Sequence, residues 1–382
     1  MFRRITWNNL LLIYFGTYLS GSLAQTLGFD DFKNFLNLIL IIINFSSLYF
    51  YNRSSISQRG ILGFYICYYF LMLFYGIFSG NYVSYILLDV VNFSSLFLLL
   101  RPIKMSVDND IFSLSNHLNS VTFFAPLVAL YIWYIQGFNF ASSLDSRFGV
   151  DSDFELYLVP NILTLSVFLG LLYFYRTRRH FIFSLSLAFL FIFGLATLTR
   201  GIILFSFISL VFFLIIKGLK SIYIFLLIGF FGFLVFYLFS SSVFLILERS
   251  VGSNDLMNGR DEEAELLLGS MSNLDFIFGR GLGGVNKTWI WSNLDNGINL
   301  VHIQYFHLIL KGGVVLSVFF YLVFLYSFLK LLASKIATNS KMLICYFLIS
   351  GLFLSIGHTQ LYNFPIIFFY YYFTRYSIQK VK

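Results

Sequence analysis

Charge is scarce in this sequence: only 11% of the 382 residues are Asp, Glu, Lys or Arg, against the roughly 25% of an ordinary soluble domain. Cysteine is nearly absent. Cys67 and Cys345 each stand in the middle of an apolar run, which excludes a disulfide framework and a cysteine metal site. No Lys/Arg-rich stretch tracks phosphate or reads bases, and the basic residues lie in short clusters between apolar runs. Their +8 net charge therefore reads as topology, with no nucleic acid as partner. No compact carboxylate motif of the metal-binding kind appears in the most polar segment, so neither metal nor other cofactor is expected.

What is abundant is apolar and aromatic. Apolar residues make up 59% of the chain and aromatics 21%, with 51 Phe and 26 Tyr. A soluble fold could not hide that much apolar surface without aggregating; a lipid bilayer removes the difficulty by being the solvent. The expected fold is an all-α integral membrane protein, a single polytopic domain over 1–382 embedded in the bilayer.

Crossing the hydrocarbon takes about 20 apolar residues, and about twelve runs qualify. They lie near 5–24, 34–52, 60–79, 81–100, 118–137, 158–175, 181–198, 201–217, 221–247, 303–331, 342–358 and 361–374. The tenth is expected to break at Gly312-Gly313 into a short helix and a span. Ser22-Leu23-Ala24 faintly resembles a cleavage site, but the first run is long enough to span and is read as uncleaved.

Placing both termini in the cytoplasm makes every cytoplasmic connection basic, as the positive-inside rule demands. Of the 25 basic residues only Lys33, Arg147, Arg200, Arg249, Arg260, Arg280, Lys287 and Lys311 then fall outside. Most connections are short. The exceptions, near 138–157 and 248–302, both fall outside, and long loops in compact folds are usually functional. Within the second, Asp261 to Leu268 (DEEAELLL) reads as a short amphipathic helix with Asn258 or Asp261 near its start.

Five arginines thus remain on the face that topology empties of them: Arg147, Arg200, Arg249, Arg260 and Arg280. The guanidinium is a permanently charged fork of donors shaped for phosphate and carboxylate oxygens, so a set of them at the outer boundary fits an anionic lipid headgroup such as a diphosphate. The competing reading pairs each with a loop acid. Arg200 is the sharpest case, in the tight turn Thr197-Leu198-Thr199-Arg200-Gly201, where charge at that depth marks a functional site unless it snorkels.

Arg280 lies in Gly279-Arg280-Gly281-Leu282-Gly283-Gly284, whose glycines permit unusual backbone angles and close approach to a ligand. The strand and helix context of a nucleotide loop is missing, which rejects that reading. Beyond it the chain re-enters the membrane through Val301-His302-Ile303-Gln304-Tyr305-Phe306-His307. Imidazole is the natural base near neutral pH. His302 stands at the entry point and is the candidate base; His307, about 140° further round a helix, reads as a structural histidine held by a backbone carbonyl. Asp89 is the only carboxylate inside a run and is expected to pair within the bundle or to line a cavity.

These residues, taken in order, resemble the O-antigen polymerase and ligase superfamily. The resemblance rests on Thr199-Arg200-Gly201, then Asn258-Gly259-Arg260 in a long outer loop, then Phe278-Gly279-Arg280-Gly281-Leu282-Gly283. It closes on His302-x-x-Tyr305 with Gly313 eleven residues after the histidine. It covers roughly 197–320 by motif and the rest by hydropathy. Two departures stand out: Ile303 replaces the family's asparagine, and the aromatic anchor after the loop arginine is missing from Asp261-Glu262-Glu263, so no role attached to that asparagine carries over.

The resemblance implies a GT-C-like bundle in the bacterial inner membrane, with 248–302 as a periplasmic loop. It also implies an inverting, metal-independent transfer of glycan from undecaprenyl diphosphate onto an acceptor repeat unit. Undecaprenyl-diphosphate-linked oligosaccharides, the lipid bilayer and a chain-length regulator protein are the implied partners. Arg200, Arg260 and Arg280, supported by Arg249, would hold the diphosphate, and His302 with Arg200 would be catalytic. The alternatives are a ligase joining glycan to lipid A core, a flippase or other transporter for lipid-linked sugars, and a non-catalytic scaffold.

Overall fold

The computed structural model describes residues 29–48, 56–99, 181–196, 200–217, 260–286, 301 and 303–332, with scattered single positions. The runs expected near 118–137, 158–175, 221–247, 342–358 and 361–374 lie wholly or almost wholly outside the described residues, as does the 138–157 connection, and the run near 5–24 is described only at separate helical positions.

Every regular element among the described residues is a helix. They are α1 (Asp30–Ser47), α2 (Ile56–Phe78), α3 (Val83–Ser94), α4 (Leu96–Leu99), α5 (Phe181–Ala196), α6 (Arg200–Lys217), α7 (Arg260–Gly269), α8 (Asn273–Phe278) and α9 (Gln304–Leu332). Within α2 and α9, Gly60–Phe78 and Gln304–Val323 are long and apolar enough to cross a membrane. At about 1.5 Å per residue each reaches close to the ~30 Å of a hydrocarbon core. Val83–Ser94, Phe183–Ile192 and Ile203–Ile215 are shorter apolar helices.

The outward faces fit that solvent. Phe35, Leu38 and Ile42 on α1, and Phe64, Leu71, Phe74 and Phe78 on α2, are all exposed, at spacings that keep each set on one helical stripe. Phe78, at the end of α2, is 85% exposed.

The chain divides into two compact units, one of Met1–Asn34 with Asp108–Leu256, the other of Phe35–Val107 with Met257–Lys382. In the first, α5 packs on α6, and Phe183 stacks on Phe213 with ring centroids 4.7 Å apart. The buried Ser209 hydroxyl bonds locally, to the Phe205 carbonyl at 2.8 Å.

The second unit is bound by polar contacts as well as apolar ones. Where lipid replaces water, burying apolar surface no longer drives helices together, and close packing with interhelical hydrogen bonds takes over. Asn44 of α1 donates to the Ser94 hydroxyl of α3 at 3.0 Å, and Tyr65 of α2 donates to the Phe93 carbonyl at 2.7 Å. Around them Tyr69 and Phe97 meet edge to face at 5.0 Å, and Tyr65 stacks on Phe319 of α9 at 6.0 Å.

The expected break in the tenth run is present. Gly312 (φ −131°, ψ 16°) and Gly313 (φ 65°, ψ −172°) interrupt α9. Before it, every residue from His307 to Gly312 is buried, so this turn of helix is enclosed on all sides rather than on one stripe.

Candidate functional site

The enclosure is built by part of the long connection expected near 248–302. Its first described element, α7, is the helix expected over Asp261–Leu268. Glu263, Ala264 and Leu267 face inward while Glu262 and Glu265 are exposed, and Leu267 packs with Val301 and Leu310 beside Met271 and Phe306. Asn286 donates to the buried Glu263 carboxylate at 3.1 Å.

The chain then turns into α8 through a capping box. The Ser272 hydroxyl accepts from the Asp275 N–H at 3.1 Å, and the Asp275 carboxylate accepts from the Ser272 N–H at 3.3 Å, so two otherwise unbonded donors at the helix start are satisfied by each other's side chains.

From Gly279 the backbone enters the space between α2, α3 and the kink of α9. Gly279, Gly281 and Gly283 have φ of 80°, 76° and 78°, a conformation that L side chains adopt only at a cost. Space imposes the same requirement. A Cβ on Gly279 would collide with the Lys311–Gly312 backbone, and one on Gly281 would meet the Gly76 Cα at 2.8 Å and the Met72 carbonyl at 2.8 Å. From the other side, a Cβ on Gly76 would run into the Leu282 carbonyl, and one on Gly313 into Ile277. These glycines serve close approach to other backbone, not to a ligand as the sequence led us to expect.

Buried peptide groups must find partners, and here they do. The Gly279 N–H donates to the Asp275 carbonyl at 2.7 Å, Arg280 to Leu310 at 2.7 Å, Gly281 to Lys311 at 3.1 Å, Leu282 to Met72 at 3.0 Å and Gly284 to Gly281 at 3.1 Å. The Gly283 N–H donates to the Asp89 carboxylate at 2.7 Å. Asn81, in the turn after α2, donates to the carbonyls of Arg280 at 3.0 Å and Leu282 at 2.9 Å.

The kink and the loop complete one another. Breaking the helical ladder at Gly312–Gly313 frees carbonyls just before it, and those of Leu310 and Lys311 take the loop's N–H groups. The carbonyl of Gly312 takes the Tyr68 hydroxyl at 2.6 Å. With each N–H from Gly279 to Gly284 engaged in protein, none remains to cradle a phosphate. The rejection of a nucleotide loop stands on geometry as well as on sequence.

At the closed end of the wedge lies an ion pair. Lys311 Nζ is 2.8 Å from Asp89 Oδ2, with both side chains at 0% exposure, and Lys311 also donates to the Gly284 carbonyl at 2.6 Å. Asp89 therefore pairs inside the bundle, one of the two expectations held for it. Lys311 requires a correction: counted with the outer-face lysines on charge distribution, it is buried in the interior of a candidate span. Its apolar neighbours on both sides, with Asp89 as the only carboxylate in a run, were the signal that could have matched the two.

At the open end, Arg280 is half-buried. Its Nη2 donates to the Ser270 carbonyl at 2.7 Å and hydroxyl at 3.0 Å, its Nη1 to the Val285 carbonyl at 3.0 Å, and its Nε lies 3.9 Å from the Asp275 carboxylate. The guanidinium is thus held at a fixed place, with Nε–H and one Nη1 hydrogen outside these hydrogen bonds.

Of the other candidate residues, Arg200 opens α6 and Arg260 opens α7, their side chains lying outside the described residues. Arg249 and His302 lie outside the described residues altogether. His307 is buried and held by backbone, as expected, but as an acceptor: its Nδ1 takes the Val301 N–H at 3.3 Å, and its ring lies nearly parallel to that of Phe93. That bond fits a neutral ring protonated on Nε2.

Comparison of the chain with known protein families, with curated proteins and with solved structures finds no match.

Proposed function

We propose that this chain is a lipid-linked polysaccharide polymerase of the O-antigen polymerase and ligase type, spanning the bacterial inner membrane about twelve times. One observation carries the reading. Arginines persist on the face that the charge distribution otherwise empties, in the order Arg200, Arg249, Arg260, Arg280, and are followed by His302 where the chain re-enters the membrane. The partly exposed guanidinium of Arg280 keeps donors outside its bonds to Ser270 and Val285, while its approach to Asp275 is what the competing reading expects.

The chemistry follows from the groups. An acceptor sugar hydroxyl attacks the anomeric carbon of the glycan on undecaprenyl diphosphate, and its proton passes to His302. The bond from that carbon to the diphosphate oxygen breaks with inversion. Charge grows on the leaving diphosphate, and Arg200, Arg260 and Arg280, with Arg249 in support, stabilise it. A diphosphate leaves with little acid help, so the paired carboxylates of a glycoside hydrolase are not required.

Substituting Arg200 or Arg280 by alanine should abolish long-chain polymer while the protein persists in the membrane. Polymer of normal length in either variant would sink the assignment. A ligase is told apart by deletion: loss of a polymerase leaves single capped repeats, whereas loss of a ligase leaves no capped core. The flippase reading gains one observation, since Lys311 adds a second charge to Asp89 inside the helices, and transporters concentrate charge there. Under that reading the deletion traps lipid-linked repeats on the cytoplasmic leaflet.

A further inference from the structure

Two buried charges close the wedge, and their geometry sets its register. Asp89 Oδ2 accepts at once from Lys311 Nζ at 2.8 Å and from the Gly283 N–H at 2.7 Å. Lys311 donates in turn to the Gly284 carbonyl at 2.6 Å. Donor meets carboxylate and acceptor meets ammonium. A slip of the loop by one residue would take the Gly283 N–H from the carboxylate and the Gly284 carbonyl from the ammonium, and leave both charges short of a buried partner.

An apolar plug could fill the same space without desolvating two ions, and buried ion pairs are best attested where they fix one arrangement among several. Arg280 lies three residues before Gly283, and its own N–H is bonded to Leu310, the neighbour of Lys311. Whatever seats the loop therefore seats Arg280.

We propose that Asp89 and Lys311 are positioning residues, an ion-pair clamp that seats Gly279–Gly284 in one register and thereby fixes the Arg280 guanidinium for the substrate diphosphate. The last link rests on the polymerase reading; the clamp does not.

The test is a double-substitution cycle on the full chain in native membranes. Cys67 and Cys345 are replaced by alanine, and a reporter thiol is introduced by Val285→Cys, at a half-buried position next to the clamp. Removing one partner strands a buried charge, whereas removing both does not. Asp89→Asn or Lys311→Met alone should therefore raise the rate of thiol labelling by roughly a hundredfold, through easier opening of the loop. The double variant should return most of the way to the parent rate. Singles that label at the parent rate, or a double that labels as fast as the faster single, overturn the clamp.

If a single variant fails to accumulate, protein level becomes the measurement: recovery in the double supports the clamp, and absence of recovery overturns it. Polymer length is scored in the same strains, with loss in each single and recovery in the double as the expected result. Labelling that follows the cycle while polymer stays normal throughout overturns the positioning role and counts against Arg280 as a diphosphate ligand, leaving the clamp intact.

Discussion

The α5–α6 pair and the wedge around Gly279–Gly284 are both set among apolar residues, yet different forces hold them. In α5 and α6 the contacts include a ring stack between Phe183 and Phe213 and a hydroxyl closing on its own helix; side chains of similar volume could make such a stack. In the wedge, backbone meets backbone, and glycine is required on both sides of the contact. The first arrangement is a property of composition. The second depends on positions where a single methyl group has nowhere to go.

That contrast can be broken by substitution, with thermal unfolding of the purified protein in one detergent as the common measure. Gly76→Ala should cost the most, about 3 kcal/mol, because the new Cβ meets the rigid Leu282 backbone rather than a side chain that can turn away. A loss no larger than that of an ordinary surface change would show that the loop yields. Tyr68→Phe should cost about 1–2 kcal/mol, since it leaves the Gly312 carbonyl without its hydroxyl partner at 2.6 Å; an unchanged midpoint would mean that water or another donor replaces it.

Phe213→Leu, in the region set by composition, should cost about 1 kcal/mol. A loss matching that of Gly76→Ala would erase the distinction between the regions. Gly60→Ala is the internal control, the same change in the same helix as Gly76 but with nothing within 4 Å of the new Cβ. It should be neutral or stabilise by at most about 1 kcal/mol, from helix propensity alone.

The same contrast explains what could be read from the sequence. Apolar runs located α1, α2, α5, α6 and α9, because hydropathy is all that such helices need. The break at Gly312–Gly313 and the helix at Asp261–Leu268 were also legible, being local. The seating of Gly279–Gly284 was not. Its partners, Met72, Asn81, Asp89 and Lys311, are separated in sequence from the loop, as Gly283 is from Asp89 by 194 positions, and hydropathy says nothing about which backbone a glycine lets approach. Lys311 was misplaced for a related reason. A lone lysine in an apolar run looks like a span boundary until its carboxylate is found. Among the candidate site residues, the structure shows how Arg280 is held, which the sequence could not; for Arg200, Arg249, Arg260 and His302 the sequence remains the source.

Surface polysaccharide from a strain lacking this chain, separated by length, tests the central claim most directly. A lipid-linked polymerase predicts that the ladder of long chains collapses to core capped with single repeats and returns when the intact chain is restored. An unchanged ladder in the deletion strain would contradict the account.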